Sequence, residues 1–215
     1  MRQMLVIGLG RFGRNLAQRL KELGNEVMAV DCDEAIIERF GDIADRAAAA
    51  DCMDPEVISS LDPSGFDVCF VCIGGDFQAS LEITSLLKDA GADRVVTKTD
   101  TALHEKFLNK IGADEVIFPE RDMAHRAAIK YTVDNVINYF ELTPEYAIIE
   151  VKTPSKWAGK SIKSLDIRAK YRMNIIGVRV GDTIEPIMDS EYVFSGGEYL
   201  VIAGSKIESM HILGD

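Results

Sequence analysis

The sequence predicts an α/β protein: a Rossmann-type doubly wound parallel sheet, a crossover helix and a small α+β lobe. Short β-rich runs alternate with amphipathic helical patterns through the first two-thirds of the chain, and a glycine-rich turn joins the first run to the first helical pattern. After Leu142 the alternation changes to strands joined by turns. Alternation with short connections is typical of a parallel sheet with helices on both faces.

Six short runs are predicted as strands of the parallel sheet. They read QMLVIG, EVMAVD, RAAAAD, DVCFVCIG, DRVVTK and EVIF. The third run, from Arg46 to Asp51, has weak β propensity, and only its place in the alternation predicts it. The patterns between the runs carry apolar residues at helical spacing. The first of them, from Arg11, stops at Gly24, a residue favoured just after a helix.

A longer helix is predicted from about Glu120 to Tyr139, as a crossover (residues 120–141) between a nucleotide-binding lobe (1–119) and a second lobe (142–215). Its apolar residues form a broader surface than one small sheet needs. Packing on the sheet alone is one interpretation. We favour a linker helix that also packs against a second copy of the chain.

The second lobe is predicted as a compact α+β module. Three runs read as strands, EYAIIEVKT, MNIIGVRVGDTIEPI and SGGEYLVIAGS, and VGDT within the second run reads as a hairpin turn. SIKSLDIRAKY is predicted as a short helix, and KIESMHIL (206–213) as a final one.

Composition narrows the class of protein. Apolar residues make up 47% of the 215 residues, which is enough for packed cores. A net charge of −11 argues against nucleic acid and anionic lipid as partners. The longest apolar runs are strand-sized, which argues against a membrane span. The chain opens directly on a strand pattern without a signal peptide, so we expect a cytoplasmic protein.

Two of the four cysteines, Cys69 and Cys72, have the spacing of a C-x-x-C pair. They lie in an apolar strand pattern, where residues three apart point to opposite faces. A shared metal or a disulfide is therefore disfavoured, and we expect buried thiols in a reducing compartment.

The turn VIGLGRFG predicts a nucleotide site, because a strand precedes it and a helix follows it. Gly8 suits the tight turn, Gly10 lets the backbone approach phosphate, and Gly13 lets helix and strand pack closely. The helix N-terminus offers free N–H groups and partial positive charge to phosphate. A glycine turn that serves packing alone is the alternative.

Acidic residues follow the next two strands. Asp31 ends the second strand and is suited to both ribose hydroxyls, while the acidic segment after it disfavours the 2′-phosphate of NADP. Asp33 is predicted to cap the next helix. Asp51 either accepts a hydrogen bond from the adenine amino group or caps a helix. The segment IGGD, from Ile73 to Asp76, ends the fourth strand on the ligand side and suits close backbone approach.

Arg11 is unusual because it lies in the first turn of a helix, where a cation is locally unfavourable. A terminal β- or γ-phosphate would compensate for that charge better than an internal pyrophosphate would. An exposed surface arginine is the alternative.

At these residues the chain resembles the RCK (regulator of potassium conductance) family, and in particular the KtrA-like cytosolic subunits of Ktr/Trk-type potassium uptake systems. The motifs that carry the resemblance are VIGLGRFG, VDCDE, AAADCMD, VCIGGD, VTKT and IFPERDMAHRAA. Many members have a Gly-Asp pair where this chain reads AAADCMD. The specific parts are the arginine within the glycine motif, the FPERDMA entry to the long helix and the C-terminal module, an RCK C-terminal lobe.

The resemblance implies a regulatory protein that binds ATP or ADP, and in some members NAD(H). Such domains pair through the crossover helix into homodimers and assemble an octameric ring beneath a membrane potassium channel or transporter subunit. The chain would then be peripheral to the inner face of the membrane, and ATP and ADP would give rings of different shape.

The resemblance also implies roles for single residues. Arg11 matches an arginine that reaches the γ-phosphate, often of a neighbouring subunit, while Asp31 matches a ribose ligand and Asp51 an adenine contact. Lys98 matches a basic residue near the phosphates, with a solvated strand-end lysine as the alternative. Phe12, Cys32, Cys52, Ile73 and Gly74 complete the predicted cofactor-binding set.

Two further sites follow from the resemblance. Glu120 matches a glutamate that helps to hold Mg²⁺ or another activating cation between paired nucleotides; a first-turn helix glutamate is the alternative. The second lobe matches a cyclic di-AMP site. Arg168 would meet a phosphate, Asn174 would add a polar contact, and Ile162, Ile175 and Pro186 would form the apolar bed, although such isoleucines are commonly core residues.

Other functions remain open at this point. An NAD(H)-binding redox sensor or a small NAD-dependent oxidoreductase fits the glycine turn, but the chain after the first lobe is short for a substrate domain. His104 and His125 lie in helical patterns and His211 near the C-terminus, so none is marked as a general base. A transcriptional repressor would need a basic helix-turn-helix, and the sequence shows none. We therefore predict a protein that is not an enzyme.

Overall fold

The computed structural model describes residues 1–132, 135–187 and 189–205, and the chain divides into two compact units, Met1–Arg121 and Asp122–Asp215. Within the described residues, no helix combines the length and the apolar character that crossing a membrane requires.

The first unit is built on a six-stranded parallel sheet with the order β3-β2-β1-β4-β5-β6. All six predicted strands are present, including the weak third one, so the Rossmann-type prediction is confirmed. Their bounds are β1 Gln3–Ile7, β2 Glu26–Asp31, β3 Arg46–Ala49, β4 Val68–Val71, β5 Val95–Lys98 and β6 Glu115–Ile117.

Five helices connect these strands: α1 Arg11–Glu22, α2 Glu34–Phe40, α3 Pro55–Leu61, α4 Phe77–Asp89 and α5 Ala102–Lys110. Side-chain oxygens cap four of them, from Asp33 on α2, Asp54 on α3, Asp76 on α4 and Thr101 on α5. The predicted cap at Asp33 is therefore confirmed. α1 is different, because its N-cap is Gly10, which leaves that helix end without a side-chain cap.

Two apolar cores flank the sheet, and the paired cysteines belong one to each. Cys69 packs with Leu5, Val71 and their neighbours, while Cys72 packs with Val6 and Leu9 in the other core. All four thiols of the chain are free. Burial raises the pKa of both Cys69 and Cys72 to about 12, so these thiols stay protonated and serve the cores.

The predicted long helix is shorter than its pattern suggested. Helix α6 spans Pro119–Thr132, and the chain then forms a strand, β7 Val136–Glu141. The prediction of helix up to Tyr139, and hence of a helical crossover over residues 120–141, was wrong. Val136 and Tyr139 are buried in the core of the second unit, and Asn135 adopts a left-handed conformation with φ 67° that precedes the strand.

The second unit contains an antiparallel five-stranded sheet with the order β10-β9-β11-β8-β7. Besides β7, its strands are β8 Tyr146–Lys152, β9 Met173–Val180, β10 Thr183–Pro186 and β11 Tyr199–Ser205. The predicted hairpin is present, since Val180 pairs with Thr183 across a turn at Gly181 and Asp182. The predicted α+β architecture of this lobe is confirmed.

The helical segment of this unit is divided in two, α7 Ile162–Leu165 and α8 Ile167–Tyr171. The single short helix predicted there is interrupted by Asp166, whose backbone is left-handed with φ 48°. Trp157, Ile167, Met173 and Phe194 pack with the sheet in one core. The final helix predicted over residues 206–213 lies outside the described residues.

Candidate functional site

The glycine turn between β1 and α1 has the geometry that phosphate binding requires. Gly8 has φ +92°, which favours glycine. A Cβ on Gly13 would lie 1.9 Å from the Gly8 carbonyl oxygen, so only glycine permits this helix to approach the strand so closely. No atom lies within 4 Å of a Cβ built on Gly10, which leaves the backbone open at the start of α1.

Asp31 is tied to this turn from the end of β2. Its Oδ2 accepts a hydrogen bond of 2.6 Å from the backbone N–H of Leu9, and its Oδ1 accepts one of 3.0 Å from that of Asp33. The carboxylate therefore holds the glycine turn in place. Carboxylate oxygens have further lone pairs, so the same group can also accept from ribose hydroxyls.

Asp51, Cys32 and Cys52 lie beside Asp31 at the ends of β2 and β3. The Asp51 carboxylate accepts a hydrogen bond of 2.9 Å from the backbone N–H of Met53, and Asp54 instead caps α3. Asp51 is exposed, and so is Cys32. Burial, with the nearby charges of Asp31 and Asp51, raises the pKa of the Cys32 thiol, while burial raises that of Cys52 to about 12. This acidic edge disfavours additional negative charge.

On the other side of the turn, an open cavity of about 490 Å³ lies over the ends of β1, β4 and β5. Its volume is in the range of small-ligand sites. It is lined by Gly10, Arg11, Phe12, Cys72, Gly74, Gly75, Lys98, Asp100 and Glu120. The cavity therefore joins two cations to the start of a helix, a combination suited to phosphate groups.

Lys98 is the most enclosed charge in this cavity, with its side chain 8% exposed. Its Nζ lies 3.1 Å from Oε1 of Glu120, whose side chain is 62% exposed. Partial burial alone would raise the pKa of Glu120, but hydrogen bonds from Lys98 and from its own backbone, with the charges of Lys98 and Arg11, hold it below the ordinary value. Glu120 is therefore ionised at neutral pH and compensates Lys98.

The predicted cation site at Glu120 has few ligands within one chain. Among the described residues, no group of three or more His, Cys, Asp or Glu side chains is arranged to hold a metal ion. The Glu120 carboxylate already pairs with an ammonium group. One carboxylate paired in this way does not form a metal site within one chain, and the cation role of Glu120 between two nucleotides stays a prediction.

The predicted nucleotide residues thus separate into groups. Gly10, Arg11, Phe12, Gly74, Lys98 and Glu120 share the open cavity, and Ile73 lines a smaller adjoining one. Gly8 and Gly13 shape the turn, and Asp31, Cys32, Asp51 and Cys52 lie at the ends of β2 and β3. Gly75, which lies within the predicted ligand-side segment, also lines the open cavity, whereas Asp100, two residues after Lys98, was not predicted.

The second unit has a cavity of its own, of about 360 Å³, beside α7, α8 and β9. Four of the five predicted residues line it: Ile162, Arg168, Asn174 and Ile175. Pro186 does not line it and instead pairs with Gly177 at the end of β10. The neighbouring Ile187 takes its place in the lining, together with Lys163, Asp166, Ile167, Met173, Asp189 and Ser190.

Comparison with protein families divides the chain in two. Residues 4–119 match the TrkA-N domain, and residues 146–208 match the TrkA-C domain. Among individual proteins, the chain is 39% identical over 204 residues to Ktr system potassium uptake protein C of Bacillus subtilis, which covers 95% of this chain and 92% of that protein. Identity to Ktr system potassium uptake protein A of the same organism is 36% over 205 residues, with 95% and 92% covered.

Solved structures show the same architecture. The GsuK RCK domain matches with a TM-score of 0.69 and 17% identity, over 100% of this chain and 48% of that one. The GsuK channel bound to NAD matches with a TM-score of 0.70 and 16% identity, over 99% and 39%. The chain spans less than half of either GsuK chain, and at these identities the likeness shows the fold alone.

Proposed function

The chain belongs to the family of the Ktr potassium uptake proteins and contains a TrkA-N and a TrkA-C domain, and we propose that it is the nucleotide-sensing regulatory subunit of such a system. The observation that carries the proposal is the cavity over the glycine turn. Arg11, Lys98 and the uncapped N-terminus of α1 converge on it, a combination that suits phosphate groups.

We propose ATP and ADP as the regulatory ligands. The phosphates lie against Gly10 and Arg11, Asp31 accepts from the ribose hydroxyls, and Asp51 contacts the adenine. Two cations at the phosphate end support a terminal phosphate, because an internal pyrophosphate carries less charge for them to neutralise. A ligand shifts an equilibrium only through different affinities for its two states, so ATP and ADP act through the γ-phosphate that distinguishes them.

The same site supports binding without catalysis. Lys98, Glu120 and Asp100 lie at the cavity, but Lys98 is paired with Glu120, and Asp100 Oδ1 lies 3.6 Å from His104 Nδ1. Lys98 and Glu120 neutralise each other, and this arrangement marks none of the groups as a free acid or base. We therefore propose a sensor and not an oxidoreductase.

Assembly follows from the surface of α6. None of the fourteen residues of this helix, all of which the structure describes, is buried. Met123 is 63% exposed and Tyr131 is 83% exposed, a large apolar area for one helix. We propose that this face packs against a second copy of the chain, and that dimers form the ring on which a membrane potassium transporter subunit is seated. The protein then works at the cytoplasmic face of the membrane through that partner.

A second ligand is proposed for the TrkA-C unit. Its lining combines charged side chains, among them the guanidinium of Arg168, with the apolar side chains of Ile162 and Ile175. That combination suits a molecule with both phosphates and aromatic bases, and we propose cyclic di-AMP. The two ligands occupy separate units of the chain.

Calorimetric titration with ATP, ADP and NADH tests the nucleotide assignment. We expect Arg11→Ala to weaken ATP by about tenfold to hundredfold and ADP much less, because a charge-assisted hydrogen bond to the terminal phosphate is lost. Arg19→Ala is the matched control, since Arg19 lies on the same helix with a side chain 68% exposed and pairs with Glu22. The control is expected to bind both nucleotides as the unaltered chain does.

Two results would contradict the proposal. Binding of NADH without measurable ATP or ADP would favour the dinucleotide alternative. Equal losses of ATP and ADP affinity in Arg11→Ala would place the arginine at a phosphate that both nucleotides share, and would remove the γ-phosphate as the sensed group.

A further inference from the structure

A second, smaller cavity of about 90 Å³ lies beside the nucleotide cavity, between α4, α5 and the end of β5. The two cavities share Gly74, Gly75, Lys98 and Asp100 in their linings. The small one exceeds the share of one water molecule in the liquid, about 30 Å³. This chamber adjoins the nucleotide cavity at Lys98 and is large enough for a small ion.

The wall of this chamber contains an unpaired buried hydroxyl. Ser80 is 2% exposed, and within residues 1–132, 135–187 and 189–205 its Oγ is the one fully buried side-chain polar atom without a hydrogen-bond partner. A buried polar group left without a partner costs about 1–3 kcal/mol. Buried hydroxyls are normally paired, so an unpaired one in the wall of a cavity points to an occupant of that cavity, either a water molecule or a ligand.

The chamber offers hydrogen-bond donors to an anion, next to one lining carboxylate, Asp100. Lys98 brings an ammonium group to the chamber, and because a Cβ on Gly74 would lie 2.9 Å from that Nζ, the absence of a side chain at Gly74 leaves room for the ammonium. The nearby carboxylates are already engaged: Asp76 caps α4 by accepting from Ala79, and Asp100 faces His104. The donor groups that remain include the Ser80 hydroxyl and the protons of Lys98 beyond its single pairing with Glu120.

We propose that this chamber is a second anion site, distinct from the nucleotide cavity, which takes a small oxyanion of the phosphate class. Ser80 Oγ donates one hydrogen bond to the anion, and Lys98 provides the charge. Because Lys98 borders both cavities, the anion and a bound nucleotide share one cation. The oxyanion is either free inorganic phosphate or the terminal phosphate of a nucleotide that reaches past Lys98.

Titration of inorganic phosphate into the nucleotide-free full chain tests this site independently of ATP sensing. We expect saturable binding, measured by calorimetry and as a rise in Tm with phosphate concentration. Ser80→Ala is expected to weaken phosphate by about tenfold, as the loss of one hydrogen bond to a charged group predicts. Its Tm without phosphate should not fall, because the hydroxyl has no partner to lose. Ser85→Ala, on the same helix and outside the lining, is the control and should bind phosphate normally.

Repeating the titration with saturating ADP and with saturating ATP separates the two sources. Phosphate binding that survives both nucleotides identifies free phosphate, whereas a block by ATP alone identifies its terminal phosphate as the occupant. The proposal is overturned if phosphate does not bind saturably. It is also overturned if Ser80→Ala binds phosphate as tightly as the unaltered chain while Arg11→Ala does not, because phosphate would then lie in the nucleotide cavity.

Discussion

At the scale of single residues, the first unit depends on the absence of a Cβ atom at its glycines. Gly13 and Gly10 belong to the same motif but differ in their surroundings. A Cβ on Gly13 would lie 1.9 Å from the Gly8 carbonyl oxygen, whereas one on Gly10 would meet nothing within 4 Å. Gly13 is therefore needed for the fold, and Gly10 for access of a ligand to the backbone.

This contrast gives a paired prediction. Gly13→Ala should destabilise the protein by about 1–3 kcal/mol or more, because the methyl group forces α1 away from β1. Gly10→Ala should change the free energy of unfolding by less than about 1 kcal/mol, since its φ of −60° suits any residue, yet should weaken ATP. Urea unfolding and nucleotide titration of both variants provide the measurement. Similar stability losses in the two would contradict the assignment of separate roles.

Glu198 gives a residue-scale prediction on pH in the second unit. Glu198 is 5% exposed and accepts a 2.7 Å hydrogen bond from the backbone of Ser195, and its side chain also pairs with the Ser195 hydroxyl. Burial alone would raise its pKa, but these hydrogen bonds and those from the nearby backbone lower it below the ordinary glutamate value. A lowered folded pKa stabilises the protein above the unfolded pKa, and that stability is lost as pH falls through the folded pKa.

Glu198→Gln should therefore lower the free energy of unfolding by about 1–3 kcal/mol at pH 7. The difference from the unaltered chain should narrow as the pH falls below the ordinary glutamate range. Glu191→Gln is the control, because Glu191 is exposed and pairs with the exposed Lys163. Urea unfolding across the pH range measures both. A deficit of constant size at every pH would mean that the charge of Glu198 does not matter.

At the scale of elements, the sequence predicts the parallel sheet well and the crossover poorly. Strands β1, β2 and β4 carry continuous apolar runs, which are typical of a sheet covered on both faces. The sequence therefore predicts them correctly as strands. Val136, Ile137 and Phe140 instead appeared to continue the apolar pattern of α6. Burial of Val136 and Tyr139 in the second core makes them a strand, and tertiary packing of that kind is not visible in local spacing. The sequence offered one signal that the helix ends here, the asparagine at position 135. Asparagine adopts the left-handed backbone conformation more readily than most residues, and Asn135 has that conformation in the structure.

Helix α6 gives the element-scale prediction. If its exposed apolar residues pack against a second copy, Met123→Asp and Tyr131→Asp should shift the protein from dimers or larger assemblies towards monomers, because a buried unpaired charge is costly. Ser59→Asp adds the same charge on an exposed part of α3 and is the control. Sedimentation velocity measures the assembly state. A wild-type assembly state in both α6 variants would exclude this helix from the interface.

At the scale of the whole molecule, the sequence predicts the motif residues of a site more readily than the other residues that line its cavity. Arg11 and Lys98 were assigned from motifs 87 positions apart and line the same cavity. The chamber at Ser80 was not predicted, because an unpaired hydroxyl is a property of packing and Ser80 resembles any other helical serine. Likewise, Ile187 lines the second cavity where Pro186 was predicted to do so, because β10 ends at Pro186.

The two units give the last prediction, on how ligands act across the chain. Each unit has its own apolar core, so a ligand should stabilise first the backbone of the unit that binds it. In hydrogen exchange, ATP should protect amides of β1, α1 and β2 most strongly, and cyclic di-AMP those of α7, α8 and β9. Arg11→Ala should lose the ATP effect and keep that of cyclic di-AMP, while Arg168→Ala should do the reverse.

Regulation within one chain also requires that each ligand increase the protection of the other unit, by a smaller amount than in the unit that binds it. The reason is that coupling between two sites is reciprocal. Protection confined strictly to the ligand-binding unit in both cases would contradict allosteric communication within one chain and leave the assembly as its only route.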